Sequence, residues 1–329
     1  MPTVRHGAAA EPRHFNTAEA AGDRRRRWLD AGERAFALIA LAVSVGAGIW
    51  QARIEEEKLA GQDRAAAARS WLAAAPPAAE LMIAGYAGAP YTYPSLVRVR
   101  APEEKTDLTV DPVTWRGEPF NDPIYYGVRV VRWLGEGRTG AMLDFTHSKA
   151  IAELGRDVMM TGTERSQPVP STNALNAVFK RLEFSHGHNM LTLNGLMRLV
   201  DLHPALSLYG GLGVGINLPH TEVQRQSGRP RTYEYQYTGP VAQGLIGIEF
   251  RVPRMSYFIE YKFTFASYDA PLSELDGTKI GLFADLYRQA AMWWSGTAPP
   301  GGHVETRLVS HEVIGGLGVR FGAPGAAAP

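Results

Sequence analysis

Residues 184–216 read FSHGHNMLTLNGLMRLVDLHPALSLYGGLGVGI, and this stretch decides the predicted fold. From His188 to Leu199 the odd positions are mostly large and apolar, whereas polar residues are common at the even positions. After a turn at 200–204 the alternation resumes, with large apolar residues on one face and small or polar residues on the other. Successive side chains of a β-strand point to opposite faces. The stretch therefore predicts two antiparallel strands of about ten residues, the length that crosses a membrane in a β-barrel.

The same two-residue period recurs in eight segments. They are 80–88, 124–134, 139–148, 188–199, 205–217, 239–250, 256–267 and 307–321. The connections alternate between short (135–138, 200–204, 251–255) and long (89–123, 149–187, 218–238, 268–306). Short turns on one side and long loops on the other are typical of outer-membrane barrels. The pattern predicts an all-β fold, an eight-stranded antiparallel transmembrane barrel of OmpA-like size in the outer membrane of a Gram-negative cell.

Composition excludes some classes of protein. The chain has 329 residues and a net charge of +1, which argues against a nucleic-acid binder with a basic surface. It contains no cysteine, so neither a disulfide framework nor a thiolate metal site is available. The 35 glycines and 10% aromatic residues suit close-packed strands with aromatic girdles.

The amino-terminal region predicts targeting. Residues 1–50 combine a polar segment, which contains the arginine run 24–27, with an apolar stretch at 35–50. This stretch is short for a membrane-spanning helix, and we interpret it as a signal peptide or, alternatively, a retained anchor. Residues 51–79 should form a helical periplasmic spacer that stops at Pro76 and Pro77. The barrel should occupy 80–322, and a flexible tail should occupy 323–329.

Charged residues of both signs take the inward parity of the predicted strands. A barrel of eight strands is just wide enough to be filled by side chains, and buried charges persist only when they are paired. We therefore expect a salt-bridged interior rather than a porin channel. The residues are Arg129, Asp144, Asn194, Arg198, Gln243, Glu249, Glu260, Lys262, Glu312 and Arg320.

A candidate metal site lies at the predicted outer rim. His186 and His188 are two residues apart, so a regular strand would direct both side chains to the same side. Glu183 is next to them, and His147 ends the neighbouring strand at the same side of the membrane. These residue types are ligands for a divalent metal such as iron, and they are the candidate catalytic residues. The alternative is that the histidines are polar residues at headgroup level.

Cations of the predicted outer loops form a candidate substrate-binding surface. Lys149 lies in the second loop, and Arg225, Arg229 and Arg231 lie in the third. Such residues could bind the phosphate groups of an anionic glycolipid. The alternative is an ordinary solvated loop face.

Three passages resemble the rhizobial lipid A oxidase family of outer-membrane barrels. They are ELMIAGYAGAPYTYPS at 80–95, VTWRGEPFNDPIYYGVRVVRWL at 113–134 and LEFSHGHNMLTLNGLMR at 182–198. The resemblance covers about residues 80–322, and its more specific parts are Phe184 to Asn189 and Trp115 to Gly117. It implies a barrel that uses dioxygen to oxidise the proximal glucosamine of lipid A to an aminogluconate. Peroxide would be the by-product and a divalent metal would assist.

Two functions from different classes follow. The first is an outer-membrane lipid A oxidase, with lipid A or lipopolysaccharide and membrane lipid as its partners, no nucleic acid, dioxygen as co-substrate and a monomeric state. The second is a non-enzymatic barrel of the OmpA type that serves as a structural element or an adhesin, since fold does not settle function. Convergence of the histidines on one point would favour the enzyme, whereas scattered histidines at the rim would favour the structural barrel.

Overall fold

Eight long strands follow the predicted segments in a computed structural model that describes residues 80–321 except 136, 204 and 253. They are β1 (Glu80–Thr92), β5 (Tyr126–Leu134), β6 (Thr139–Ala152), β10 (Phe179–His203), β11 (Leu206–Asn217), β14 (Gly239–Val252), β15 (Met255–Pro271) and β16 (His303–Phe321). The predicted signal segment or anchor at 1–50, the spacer at 51–79 and the tail at 323–329 lie outside the described residues.

These eight strands form a closed ring. Each pairs antiparallel with the next in the order β1, β5, β6, β10, β11, β14, β15, β16. The ring closes because β16 also pairs with β1, from Leu81 opposite Phe321 to Thr92 opposite Ser310. Neighbouring strands thus satisfy the backbone N–H and C=O groups of one another, as a lipid environment requires. The predicted all-β, eight-stranded antiparallel barrel is confirmed.

The outer wall of the barrel is apolar. Leu193 and Leu212 are 61% and 77% exposed, and they alternate with buried or small residues. Other apolar side chains at outward positions, including Ile246, Tyr261 and Phe263, are exposed as well, whereas Tyr257 is buried. An apolar exterior around a polar interior is the arrangement of outer-membrane barrels. The chain is a barrel of this kind, located in the outer membrane.

The interior is filled by paired charges, as predicted. Arg129 lies 3.2 Å from Asp144 and 2.9 Å from Glu260. Lys262 lies 3.1 Å from Asp144 and 3.5 Å from Glu312. A void of about 10 Å³ beside Arg129 has room for roughly one water molecule.

Arg198 also points inward, but it belongs to a second group of ion pairs, separate from that of Arg129 and Lys262. It lies nearer the turns, where its guanidinium is 3.3 Å from Glu249 and 4.0 Å from Glu80. Glu80 in turn accepts hydrogen bonds from Arg320. The interior therefore contains two groups of ion pairs at different heights, because side chains in so narrow a lumen contact mainly the residues at their own level.

The long connections are not plain loops, contrary to the simple pattern of strands and loops. They contain β2 (Ser95–Ala101), β3 (Thr106–Val113), β4 (Trp115–Arg116), β7 (Asp157–Glu164), β8 (Gln167–Pro168), β9 (Thr172–Ala174), β12 (His220–Arg225) and β13 (Thr232–Tyr235). Strand β2 pairs with the outer end of β16 and continues through β3 to β7. The hairpin of β12 and β13 pairs with the outer part of β10.

Several barrel strands are longer than predicted because they continue past the membrane into this outer layer. β10 extends to Phe179 and β16 to His303, where each pairs with a connection strand. The outer layer covers the lumen with an apolar core that includes Val110, Phe179 and Leu308. The last connection carries a helix, α1 (Leu282–Ser295). Among the helices of residues 80–321, none is both long and apolar enough to cross a membrane.

Candidate functional site

An irregularity in β10 separates the two histidines of the rim motif. Against β6, Phe184 is opposite Ala150 and His188 is opposite Ser148, so four residue steps on β10 match two on β6. Gly187 lies within this bulge at φ +141°, a conformation that favours glycine. The bulge alters the alternation between the two strand segments. In a regular strand His186 and His188 would lie on the same side. Because of the bulge, they lie on opposite sides of the barrel wall.

His188 faces the lumen. It is 1% exposed, and its ring packs 5.4 Å from the ring of Tyr268. Tyr268 stacks on Phe184, which stacks on Trp115, so these four rings form an aromatic column below the outer layer. Within the described part of the chain, neither ring nitrogen of His188 has a hydrogen-bond partner.

His147 faces the opposite way, on the side of the membrane lipid. It is opposite Tyr126 on β5 and stacks on that ring at 4.8 Å. Tyr126 alternates with the exposed Val128 and Val130 of the outer wall. The Nδ1 atom of His147 lies 2.8 Å from the side-chain oxygen of Asn189 on β10. His147 and His188 are therefore on different faces of the barrel wall.

Lys149 and Glu183 continue the outward face above His147. Lys149 follows His147 by two residues on β6, and Glu183 is opposite Ile151, two residues further along. Glu183 is also opposite Glu222 of β12. Since residues two apart on a strand share a face, these side chains lie together on the outside of the wall.

His186 and His220 complete this group on the outward face. His186 Nδ1 lies 3.9 Å from a Glu222 oxygen, and the rings of His186 and His220 are 5.4 Å apart. Tyr233 packs against both rings, at 5.5 and 4.3 Å. We name His147, Lys149, Glu183, His186, His220 and Glu222 the outer-wall cluster.

Sequence reasoning missed His220, Glu222 and Tyr233. The sequence feature that could have indicated them is His220-Thr221-Glu222. Here a histidine and a carboxylate are two residues apart, so they share one face of a strand. Only the pairing of the β12–β13 hairpin with β10 brings them to Glu183 and His186. That pairing could not be derived from the local pattern.

Two extracellular segments cover the outer-wall cluster. The Lys149 ammonium donates to the backbone oxygen of Asn121 at 2.8 Å. His220 Nε2 lies 3.4 Å from the Thr278 oxygen. His186 stays half-buried, so its side of the cluster is the accessible one. The outer-wall cluster is therefore a niche of mostly buried polar groups on the outward face of the wall, beneath the backbone of Asn121 and Thr278.

Burial dominates the electrostatics of the niche. It raises the pKa of the Glu183 carboxyl, and the neighbouring Glu222 raises it further. Burial lowers the pKa of the Lys149 ammonium, and nearby carboxylates oppose this shift. Burial also lowers the pKa of both His186 and His220. The cluster thus combines neutral imidazoles with a carboxylate that takes up a proton more readily than usual.

The three candidate arginines are held by carboxylates of the outer layer. Arg225 is buried, with nitrogens 3.0 Å from Glu104 and 3.0 Å from Glu164. Arg229 pairs with Glu104 and Glu274. Arg231 lies 3.0 Å from Glu222 and 2.6 Å from Asp276, at the edge of the outer-wall cluster. Of the four predicted substrate-binding cations, Lys149 is therefore part of the outer-wall cluster and Arg231 lies at its edge.

The described residues do not fit the predicted metal site. His147, His186 and His188 cannot share one ion in this arrangement, because His188 lies on the lumen side of the wall. No group of three His, Cys, Asp or Glu side chains within residues 80–321 has the placement needed to hold a metal ion.

Comparisons with solved structures find likenesses at low sequence identity. No protein-family model matches the chain, and no curated protein matches it. Among solved structures, the chain is similar to the outer membrane protein OprG from Pseudomonas aeruginosa, with 12% identity, a TM-score of 0.38, and coverage of 75% of this chain and 98% of that chain. Neisserial surface protein A gives 6% identity, a TM-score of 0.32 and coverage of 74% and 97%. The outer membrane protease OmpT from Escherichia coli gives 9% identity, a TM-score of 0.35 and coverage of 74% and 97%.

Proposed function

We propose that this barrel acts on lipid A in the outer leaflet and oxidises its proximal glucosamine to an aminogluconate with dioxygen. The observation that carries the proposal is the outer-wall cluster, a niche of ionisable groups on the outward face of the wall. A substrate that is itself a membrane lipid would reach such a niche without leaving the bilayer. The specific reaction is inferred from the sequence resemblance to lipid A oxidases.

Cations at the niche suit an anionic lipid headgroup. Lys149 lies inside it, and Arg181 and Arg231 lie at its edge beside Glu183 and Glu222. Charged donors bind phosphate or carboxylate oxygens more strongly than neutral donors do. In the proposed complex they would exchange part of their pairing with glutamates for pairing with the lipid.

Glu183 is the proposed proton acceptor. The hemiacetal carbon of the sugar loses two electrons and its hydrogen, and the hemiacetal hydroxyl loses its proton to Glu183. Dioxygen accepts two electrons and two protons and becomes hydrogen peroxide, while the sugar becomes a lactone. Water then opens the lactone to the aminogluconate. A carboxyl with a raised pKa is better matched to proton transfer near neutral pH than an ordinary one.

A divalent metal such as iron would supply an electron path between the sugar and dioxygen. The three predicted histidine ligands do not surround one point, which by itself favours the non-enzymatic barrel, and we derive no step through a metal. Metal dependence stays a prediction, and treating the refolded barrel with a chelator before the assay tests it.

Mass spectrometry of lipid A tests the function. Cells that express the full chain should yield lipid A with one more oxygen atom in the proximal sugar than cells without it. Heat-modifiable migration on gels should verify the folded barrel in the same cells. A folded barrel with unchanged lipid A would overturn the proposal and favour the structural barrel or adhesin.

A further inference from the structure

Helix α1 turns its apolar face away from the protein. Its buried side chains are Asp285 and Gln289. Phe283, Tyr287 and Trp294 are 85%, 78% and 95% exposed. These three residues are spaced by four and seven positions, so they form one stripe along the helix. The polar face of the helix therefore packs on the protein and its apolar face is exposed, the opposite of a helix that packs on the core of a soluble protein.

Hydrogen bonds to β13 and the residues after it explain this orientation. An Asp285 carboxylate oxygen accepts the Tyr235 N–H at 3.1 Å. The Gln289 side chain accepts the Tyr237 N–H and donates to the Tyr237 oxygen, both at 2.8 Å. The polar face therefore satisfies backbone groups at the side of β13 that faces away from β12. Held this way, the helix can only present its aromatic stripe outward.

The carboxyl-terminal end of α1 lies close to the start of a barrel strand. Tyr237 precedes the barrel strand β14, which begins at Gly239, by two residues. At the rise of an extended strand this is a separation of about 7 Å along the chain. Trp293 of α1 packs on Tyr237, with ring centroids 5.8 Å apart. Below Gly239 come the exposed wall residues Pro240 and, on the neighbouring strand, Ile216.

The composition of the stripe suits the boundary between headgroups and acyl chains. Aromatic side chains are enriched at that depth, where one part of the ring system is apolar and another is near water. Lys279 precedes the helix, in keeping with the basic residues of interfacial helices. Arg288 lies within the helix and pairs with Glu234 and Asp285 on the protein side. The wall beneath the helix is already surrounded by lipid, so the same lipid is within reach of the stripe.

We propose that α1 is an interfacial helix whose aromatic stripe inserts into the outer leaflet of the membrane that the barrel spans. In this position it fastens the outer layer, through β13, to the membrane surface. The inference concerns a membrane contact and is independent of any oxidation of lipid A.

Site-directed spin labelling tests the contact, and the absence of cysteine from the sequence leaves no competing thiol. Ala291→Cys places a label on the exposed stripe, between Tyr287 and Trp294. Leu212→Cys places one on the lipid-facing wall, and Gln167→Cys places one on an exposed strand of the outer layer. The full chain would be refolded into phosphatidylcholine vesicles. Accessibility to oxygen, which concentrates in lipid, would be compared with accessibility to a water-soluble nickel chelate.

The label at 291 should resemble the one at 212, with high oxygen and low chelate accessibility, whereas the label at 167 should show the reverse. Equal accessibilities at 291 and 167 would overturn the proposal. Spin–spin broadening at 291 that disappears on dilution with unlabelled protein would also overturn it, because a second copy of the chain would then cover the stripe. These modest single substitutions should refold; gel migration verifies each barrel before measurement.

Discussion

Arg129 and Glu260 join two barrel strands that are not neighbours. Their side chains meet inside the lumen, where two guanidinium nitrogens donate to the two carboxylate oxygens at 2.9 and 3.0 Å. Both residues are buried, and Tyr209 donates a further hydrogen bond to Glu260 at 2.7 Å. Contacts of this kind fill the narrow lumen and link β5 to β15 across it.

A double-mutant cycle should detect this pairing. Glu260→Gln alone should lower the free energy of unfolding by about 3–5 kcal/mol, because it leaves a buried guanidinium short of its partner. The double variant Arg129→Met/Glu260→Gln should cost about 1–3 kcal/mol less than the sum of the two single variants. Urea titrations in lipid vesicles measure the free energy of unfolding of the unmodified protein, the two single variants and the double variant.

The exposed pair Arg98 and Asp107 provides the matched control. It has similar geometry, with a nitrogen to oxygen distance of 2.7 Å, but both side chains face solvent. Its coupling energy should stay below about 1 kcal/mol. Strict additivity for Arg129 and Glu260 would mean that the lumen pair contributes no specific stability.

A charge on the outer wall should be costly. Leu193→Arg puts a guanidinium where a side chain is exposed to lipid, which should cost about 2–4 kcal/mol at the bilayer midplane. Leu199→Arg, nearer the turn that follows β10, should cost about 0–1 kcal/mol. Folding titrations in vesicles compare the two, and equal costs would contradict the placement of Leu193 near the midplane.

The barrel could be predicted from the sequence because the pattern that indicates each strand lies within the strand itself. A two-residue period follows directly from the geometry of a strand, and the exposed Leu193 and buried Asn194 occupy the faces that the period assigns. The alternation of short and long connections likewise correctly predicts short turns at one end of the barrel and long connections at the other. The outer layer could not be predicted this way, because the pairing of β2 with β16 joins segments about 200 residues apart and has no local signal.

The candidate site was only partly predictable, since it depends on a bulge. His147, Lys149, Glu183 and His186 do lie on one face, but a regular alternation would also place His188 there. Gly187 was visible in the sequence, yet a single glycine does not reveal a bulge of this size. The carboxylates that pair with Arg225 and Arg229 come from other connections, so the sequence did not reveal that these arginines are already engaged.

Gly187→Ala should damage the bulge. The residue has φ +141°, and an added Cβ would lie 2.4 Å from the Asn189 side-chain nitrogen. We expect a loss of about 1–3 kcal/mol from backbone strain, together with faster amide exchange around 184–190. Gly195→Ala is the control, because the atom nearest to an added Cβ there, the Leu212 oxygen, is 4.0 Å away. Equal exchange in both variants would argue against a strained bulge.

Acid should loosen the hairpin of β12 and β13. The folded-state pKa of both His186 and His220 lies below its ordinary value, mainly through burial. A lowered pKa means that the unfolded state binds protons more readily, so the stability is present above about pH 6.5 and is lost as the pH falls. Amide exchange in 220–235 should therefore accelerate in acid. His220→Gln should weaken this dependence, and an unchanged pH profile would exclude His220 as its cause.

The last prediction concerns the side of the wall on which oxidation occurs. Glu183 and His186 lie on the outward face of the barrel wall, whereas His188 is enclosed in the lumen by Tyr268. Glu183→Gln keeps the size of the side chain and removes the proton acceptor, which should slow the gain of oxygen in lipid A by about 10²–10⁴-fold. His186→Gln should reduce it as well, because this residue borders the accessible side of the niche. His188→Phe should retain the reaction, since an aromatic ring can fill the same buried column.

Lipid A mass spectra report the reaction, and heat-modifiable migration reports the fold of each variant. The outcome distinguishes a reaction on the outward face of the wall from a reaction in the lumen, which the sequence motif alone does not distinguish. Full oxidation by Glu183→Gln would remove Glu183 from the mechanism. Loss of oxidation in His188→Phe with a correctly folded barrel would move the chemistry from the outer wall to the lumen, where a lipid could enter only if the outer layer opened.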